Sequence, residues 1–115
     1  MLRGEIRWVE FGQGLSGESA RRRPAVLVSN DGANSMAARL GRGVITVVPV
    51  TSNVTRVYPF QVLLSADVSG LGRDSKAQAE QVRSVSVERI TDRLGSVPAP
   101  LMLELDEALK LHLAL

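Results

Sequence analysis

The run Val44-Ile45-Thr46-Val47-Val48, closed by Pro49, constrains this chain more than any other segment. Side chains branched at Cβ lose rotamer freedom in a helix and pack well on a pleated surface, so the run predicts a central strand. Ala25-Val26-Leu27-Val28 is a second apolar run, opened by Pro24, which a strand tolerates at its first residue. Glu5–Phe11 alternates, with Ile6 and Trp8 on one face and Glu5 and Arg7 on the other. Further strands are expected over Tyr58–Leu64, Lys76–Val87 and Arg93–Val97, with Ser86–Arg89 able to start a helical turn instead. Between them lie turn signals: Gly12, Gly14 and Gly17, then Asn30-Asp31-Gly32, then Thr51-Ser52-Asn53, then a loop over Ser65–Ser75.

Two helices are expected. A short one spans Ala33–Leu40. A longer one fills Ala99–Leu115, where Leu101, Leu105, Leu109 and Leu113 recur every four residues, with Asp106 and Lys110 as an i,i+4 pair. Five or six short strands and a C-terminal helix predict a mainly β fold, a small, mostly antiparallel barrel or curled sheet whose open face the helix covers. With 115 residues the chain reads as a single domain over 1–115. The leucine surface of the helix exceeds what one small sheet buries, which predicts a homodimer.

Composition narrows the chemistry. There is no cysteine, so disulfides, thiolate metal sites and cysteine nucleophiles are excluded. The single histidine, His112, falls at the end of the last helix, where it suits the macrodipole better than catalysis. No compact carboxylate cluster suggests bound metal, so neither a metal nor another cofactor is expected. No apolar run approaches the roughly 20 residues of a membrane span, and the first residues hold no apolar core of a signal peptide, so a cytoplasmic protein is expected. Arginine supplies 12 of the 14 basic residues, and eight of those arginines precede Tyr58. Guanidinium groups grip phosphates with paired hydrogen bonds, so an anionic partner is expected.

Three polar elements break the apolar pattern: Glu18 with Arg21-Arg22-Arg23, Pro49-Val50-Thr51-Ser52, and Glu80-Gln81-Val82-Arg83. Each joins a strand to a loop, where a rigid scaffold can fix side chains. With RGEIRWVEF, YPFQVLL and LDEALKLHLAL they run in an order that resembles the MazF/PemK family of toxin endoribonucleases, from Arg3 to Leu113. The resemblance implies an SH3-like barrel, a homodimer, metal-independent and sequence-specific cleavage of single-stranded RNA, and a cognate antitoxin with an acidic, disordered tail. It carries two catalytic positions over: Arg23, which precedes the proline, and Thr51 of the Pro-x-Thr-Ser motif. Glu18, Ser52 and Gln81 match polar positions that support the site, and Arg21, Arg22, Asn53 and Arg83 are placed as RNA contacts. The first loop, without proline here, and Arg7, where the family favours an aromatic residue, depart from the family pattern.

The residues suit that chemistry. RNA needs no metal if its own 2′-hydroxyl attacks the adjacent phosphorus, giving a 2′,3′-cyclic phosphate and a 5′-hydroxyl. The protein must then align the attack and stabilise charge on the phosphorane oxygens. Arg23 can donate two parallel hydrogen bonds to those oxygens and Thr51 one more, and Glu18 is a candidate base. Among the aromatic residues, Phe11 and Tyr58 are expected to stack bases and Trp8 and Phe60 to lie in the core. Two other readings remain open at this level. One is a non-catalytic module that binds RNA or an acidic peptide through the arginines. The other is a topoisomerase-poisoning toxin on a similar barrel, for which the Arg-Pro and Pro-x-Thr-Ser motifs would be unnecessary.

Overall fold

The computed structural model describes residues 1–12 and 22–115. Its elements in chain order are β1 (Glu5–Glu10), β2 (Arg22–Leu27), α1 (Asp31–Leu40), β3 (Val44–Thr51), β4 (Gln61–Leu64), α2 (Ala66–Ser69), β5 (Ser75–Gln78), β6 (Arg83–Ser86), β7 (Ile90–Ser96) and α3 (Ala99–Leu113). The seven strands form one curled sheet in the order β4-β5-β3-β2-β1-β7, with β6 beside the first half of β3. The pairings are antiparallel, and the sheet is barrel-like without closing. The β-branched run is central as expected: β3 bonds β2 on one side and both β5 and β6 on the other.

The curled sheet buries both faces. On one, Ile6, Val26, Val48 and Leu64 pack beneath Leu105 and Ala108 of α3; on the other, Val9, Leu27, Ile45, Val47 and Val85 pack with Ala37 of α1. Leu105 is 1% exposed, and burying such a side chain contributes roughly 2–3 kcal/mol. α1 starts two residues before the expected Ala33, because the Asn30 side chain accepts from the Ala33 N–H at 2.8 Å and caps the helix.

Several expectations are corrected. The expected strand over Lys76–Val87 is two strands divided by a 3-10 turn, Ala79–Gln81. Val50 faces Ala77 and Val47 faces Arg83, so three steps along β3 meet six along its neighbour. The turn takes up that excess. Tyr58–Leu64 is a strand only from Gln61, since the Gln61 N–H closes a turn onto the Tyr58 carbonyl at 2.8 Å. The loop over Ser65–Ser75 contains α2, which packs so closely on β7 that a Cβ at Gly95 would lie 1.9 Å from the Ser69 carbonyl oxygen. Asp106 pairs with Arg3 at 2.6 Å and Lys110 with Glu107 at 3.4 Å, not with one another. On α3, Leu101 and Leu109 join the core, whereas Leu113 is exposed with Leu103 and Leu111.

Candidate active site

Strand registry builds the site. The pairing of β2 with β3 ends at Ala25 and Pro49, and Arg23 and Thr51 each lie two residues beyond that pair, on its sheet face. Thr51 in turn faces Lys76 of β5, which faces Leu63 of β4. Directly opposed residues of antiparallel strands share a sheet face, so Arg23, Thr51 and Lys76 form one row at the end of β3. Gln78 belongs to the same face, two residues along β5 from Lys76. The Arg23 guanidinium is half-buried there. Its Nη2 donates to Gln78 Oε1 at 2.6 Å and lies 3.4 Å from the Val50 carbonyl oxygen. The Thr51 hydroxyl oxygen accepts the Asn53 N–H at 3.2 Å. A hydroxyl that accepts at its oxygen still has a proton to donate.

The structure thus brings the two expected catalytic positions together and adds Lys76 and Gln78, which sequence reasoning missed. Their alternation along the chain was visible, but no feature of the sequence says that this strand pairs with the end of β3. Ser52 and Asn53 are exposed just past Thr51, and the Asn53 Oδ1 accepts the Thr55 N–H at 3.2 Å. Gln81 is exposed at the end of the 3-10 turn. Arg83 is exposed on β6 with its guanidinium 5.2 Å from the centre of the Phe11 ring. Glu18 and Arg21 lie outside the described residues.

Arg22 takes the other sheet face. Trp8 faces Pro24 across β1 and β2, and Arg22, two residues from Pro24, lies with its guanidinium 4.5 Å from the centre of the Trp8 ring. Trp8 is therefore not in the core as expected. Ile6 and Val9 are buried on opposite faces, while Trp8, on the Ile6 face, is half-exposed because it borders a cleft with Arg22. A cleft of about 460 Å³ runs past this row, lined by Trp8, Arg22, Leu71, Arg73 and Leu94 and touching Arg23 and Thr51. Phe60 also leaves the core: its ring stacks on Tyr58 with centres 5.3 Å apart. Among the described residues no group of His, Asp or Glu gathers to hold a metal ion, and no helix is long and apolar enough to cross a membrane.

Comparison with known proteins gives the family. Residues 2–113 match the model of the PemK-like, MazF-like toxin of type II toxin-antitoxin systems. The chain belongs to that family. Over its whole length it is 60% identical to "Endoribonuclease MazF9" of Mycobacterium tuberculosis, 98% of which is covered. The fold is similar to the crystal structure of MazF (Form-I) from Deinococcus radiodurans, with a TM-score of 0.78, 27% identity, and coverage of 100% of this chain and 97% of that one. It is also similar to an endoribonuclease in complex with its cognate antitoxin from Mycobacterial species, with a TM-score of 0.78, 23% identity, and coverage of 100% and 96%. The PemK/MazF relationship thus spans the Arg23, Thr51 and Gln81 motifs together.

Proposed function

We propose that this toxin is a sequence-specific endoribonuclease that cleaves single-stranded RNA at the Arg23–Thr51 row by attack of the RNA 2′-hydroxyl on its own phosphate. The observation that carries the reading is a fixed guanidinium and a hydroxyl with a proton to give, both lining one cleft at the end of β3. Arg23 stabilises the two non-bridging oxygens as their charge grows, and Thr51 donates to the same phosphate. Because Gln78 and the Val50 carbonyl hold the guanidinium, little reorganisation is needed at the moment of reaction. Products are a 2′,3′-cyclic phosphate and a 5′-hydroxyl, with no metal or cofactor. Ser52, Gln81 and Glu18 support the site, and Arg21, Arg22, Asn53 and Arg83 bind the strand.

The partners follow from the same reading. A homodimer forms through the exposed leucines of α3, Leu103 and Leu111, which are 68% and 58% accessible in the single chain. A cognate antitoxin with an acidic, disordered tail folds onto the arginine-bearing face and excludes RNA. The protein acts in the cytoplasm.

Labelled single-stranded RNA incubated with the purified protein in EDTA tests the reading. Discrete fragments with 5′-hydroxyl ends are expected. Binding without cleavage would overturn it in favour of a non-catalytic module.

A further inference from the structure

Lys76 is a buried cation that the proposed chemistry leaves unused. Its residue is 8% exposed, and among the described residues no carboxylate lies within ion-pair distance of it. Taking an ammonium out of water without a counter-ion is costly, so its few partners matter. Nζ donates to the Arg56 carbonyl oxygen at 2.6 Å and lies 5.9 Å from the centre of the Tyr58 ring. Both partners belong to the segment that leaves Thr51 and runs to β4.

That segment closes a ring of contacts. The Asn53 N–H fixes the Thr51 hydroxyl oxygen, the Asn53 side chain takes the Thr55 N–H, and the Arg56 carbonyl takes the Lys76 ammonium. Lys76 then stands across from Thr51 in the sheet, where the ring began. Beyond it, the Gln61 side chain accepts the Tyr58 N–H at 3.1 Å and donates to Glu80 Oε2 at 2.8 Å, which fixes the far end of the segment.

We propose that Lys76 is a positioning residue for RNA cleavage: its ammonium clamps the 52–60 segment over the end of β3 and thereby sets the direction in which the Thr51 hydroxyl donates. The proposal rests on the reading of Thr51 as catalytic. A reacting group displaced by about 1 Å can lose on the order of a hundredfold in rate, so a clamp on the neighbouring turn acts on turnover more than on binding. The role belongs to the ammonium and its bond to the Arg56 carbonyl; a neutral unbranched chain fills most of the space without making that bond.

Lys76→Met tests this, because it keeps an unbranched chain only one atom shorter and removes the donor and charge. Turnover per folded molecule is expected to fall about ten- to a hundredfold with KM changed less than about threefold. Amide hydrogen exchange across 52–60 should quicken about tenfold or more while β3 and β5 hold. Lys76→Arg should restore both within about threefold. Unchanged turnover in Lys76→Met overturns the proposal. So does lost turnover with unchanged exchange, which would make the charge act on the phosphate directly. If Lys76→Met does not fold, Tyr58→Leu carries the test, since it strips the ring from beside the ammonium. The same pattern in smaller measure is expected, and unchanged turnover and exchange would overturn the proposal. A wild-type protein that leaves RNA intact would instead refute the endoribonuclease reading itself.

Discussion

Arg22 and Arg23 are adjacent in the chain and occupy opposite faces of the sheet. Arg23 is half-buried, bonded to Gln78 and beside the Val50 carbonyl, and it stands in the row with Thr51 and Lys76. Arg22 has 51% of its side chain exposed, lies on the Trp8 ring, and reaches Asp92 only at 3.9 Å. Charge is identical in the two, so burial and bonding make the difference. A guanidinium held by fixed partners can serve a transition state; one held by a ring and solvent contributes attraction to the strand as a whole.

The largest effect that could break this contrast is on turnover. Arg23→Ala and Thr51→Ala should each lower cleavage about a hundredfold or more, the scale for loss of one oxyanion donor, with melting temperatures close to that of the parent. An equal loss in Arg22→Ala would erase the distinction between the faces. Gln78→Ala sharpens it: by removing one of the partners that hold the Arg23 guanidinium it should lower turnover about tenfold while leaving RNA affinity within a few fold. Arg22→Ala should weaken RNA binding only a few fold and flatten the salt dependence by about one counter-ion, with turnover unchanged at saturation.

Trp8 is the only tryptophan, so its fluorescence reads one face alone. Arg22→Ala should shift the emission and Arg23→Ala should leave it as it is. An equal response to both would contradict their separation.

The smallest effect concerns stability against pH. Burial pushes the Glu5 carboxyl up, but the hydrogen bond from Arg7 at 2.9 Å, a backbone hydrogen bond from Leu2 and the charges of Arg7 and the N-terminus together outweigh this and hold the group below its ordinary value of 4.5. The ionised form is thus favoured in the folded chain. Its contribution is complete above the ordinary carboxylate range and is lost as pH falls through the depressed folded value. Glu5→Gln should therefore cost about 1 kcal/mol near neutral pH and nothing in strong acid. A penalty that persists in acid would contradict the assignment.

The sequence made the strands legible where side-chain chemistry is local. Val44–Val48 could only be a central strand, and the Leu101, Leu105 and Leu109 spacing announced a helix with one buried face. It could not show that the Ile6 face opens at Trp8 into a cleft shared with Leu71 and Leu94, because those residues come from distant segments. The break at Ala79–Gln81 was equally hidden: it arises from two strands sharing one edge of β3. For the site, Arg23 and Thr51 stood out through the prolines beside them. Lys76 and Gln78 did not, since their meaning comes from a neighbour far away in sequence.

The central claim is that RNA supplies its own nucleophile at the Arg23–Thr51 row. A substrate with a single 2′-deoxy nucleotide just before the cleaved bond tests it most directly. Binding should be nearly unchanged, because phosphates carry most of the affinity. Cleavage should stop at that bond, while the all-ribose strand is cut in EDTA and leaves a 5′-hydroxyl that a polynucleotide kinase labels without prior dephosphorylation. Efficient cutting of the 2′-deoxy strand, or a 5′-phosphate on the product, would contradict the account and require an activated water in place of the 2′-hydroxyl.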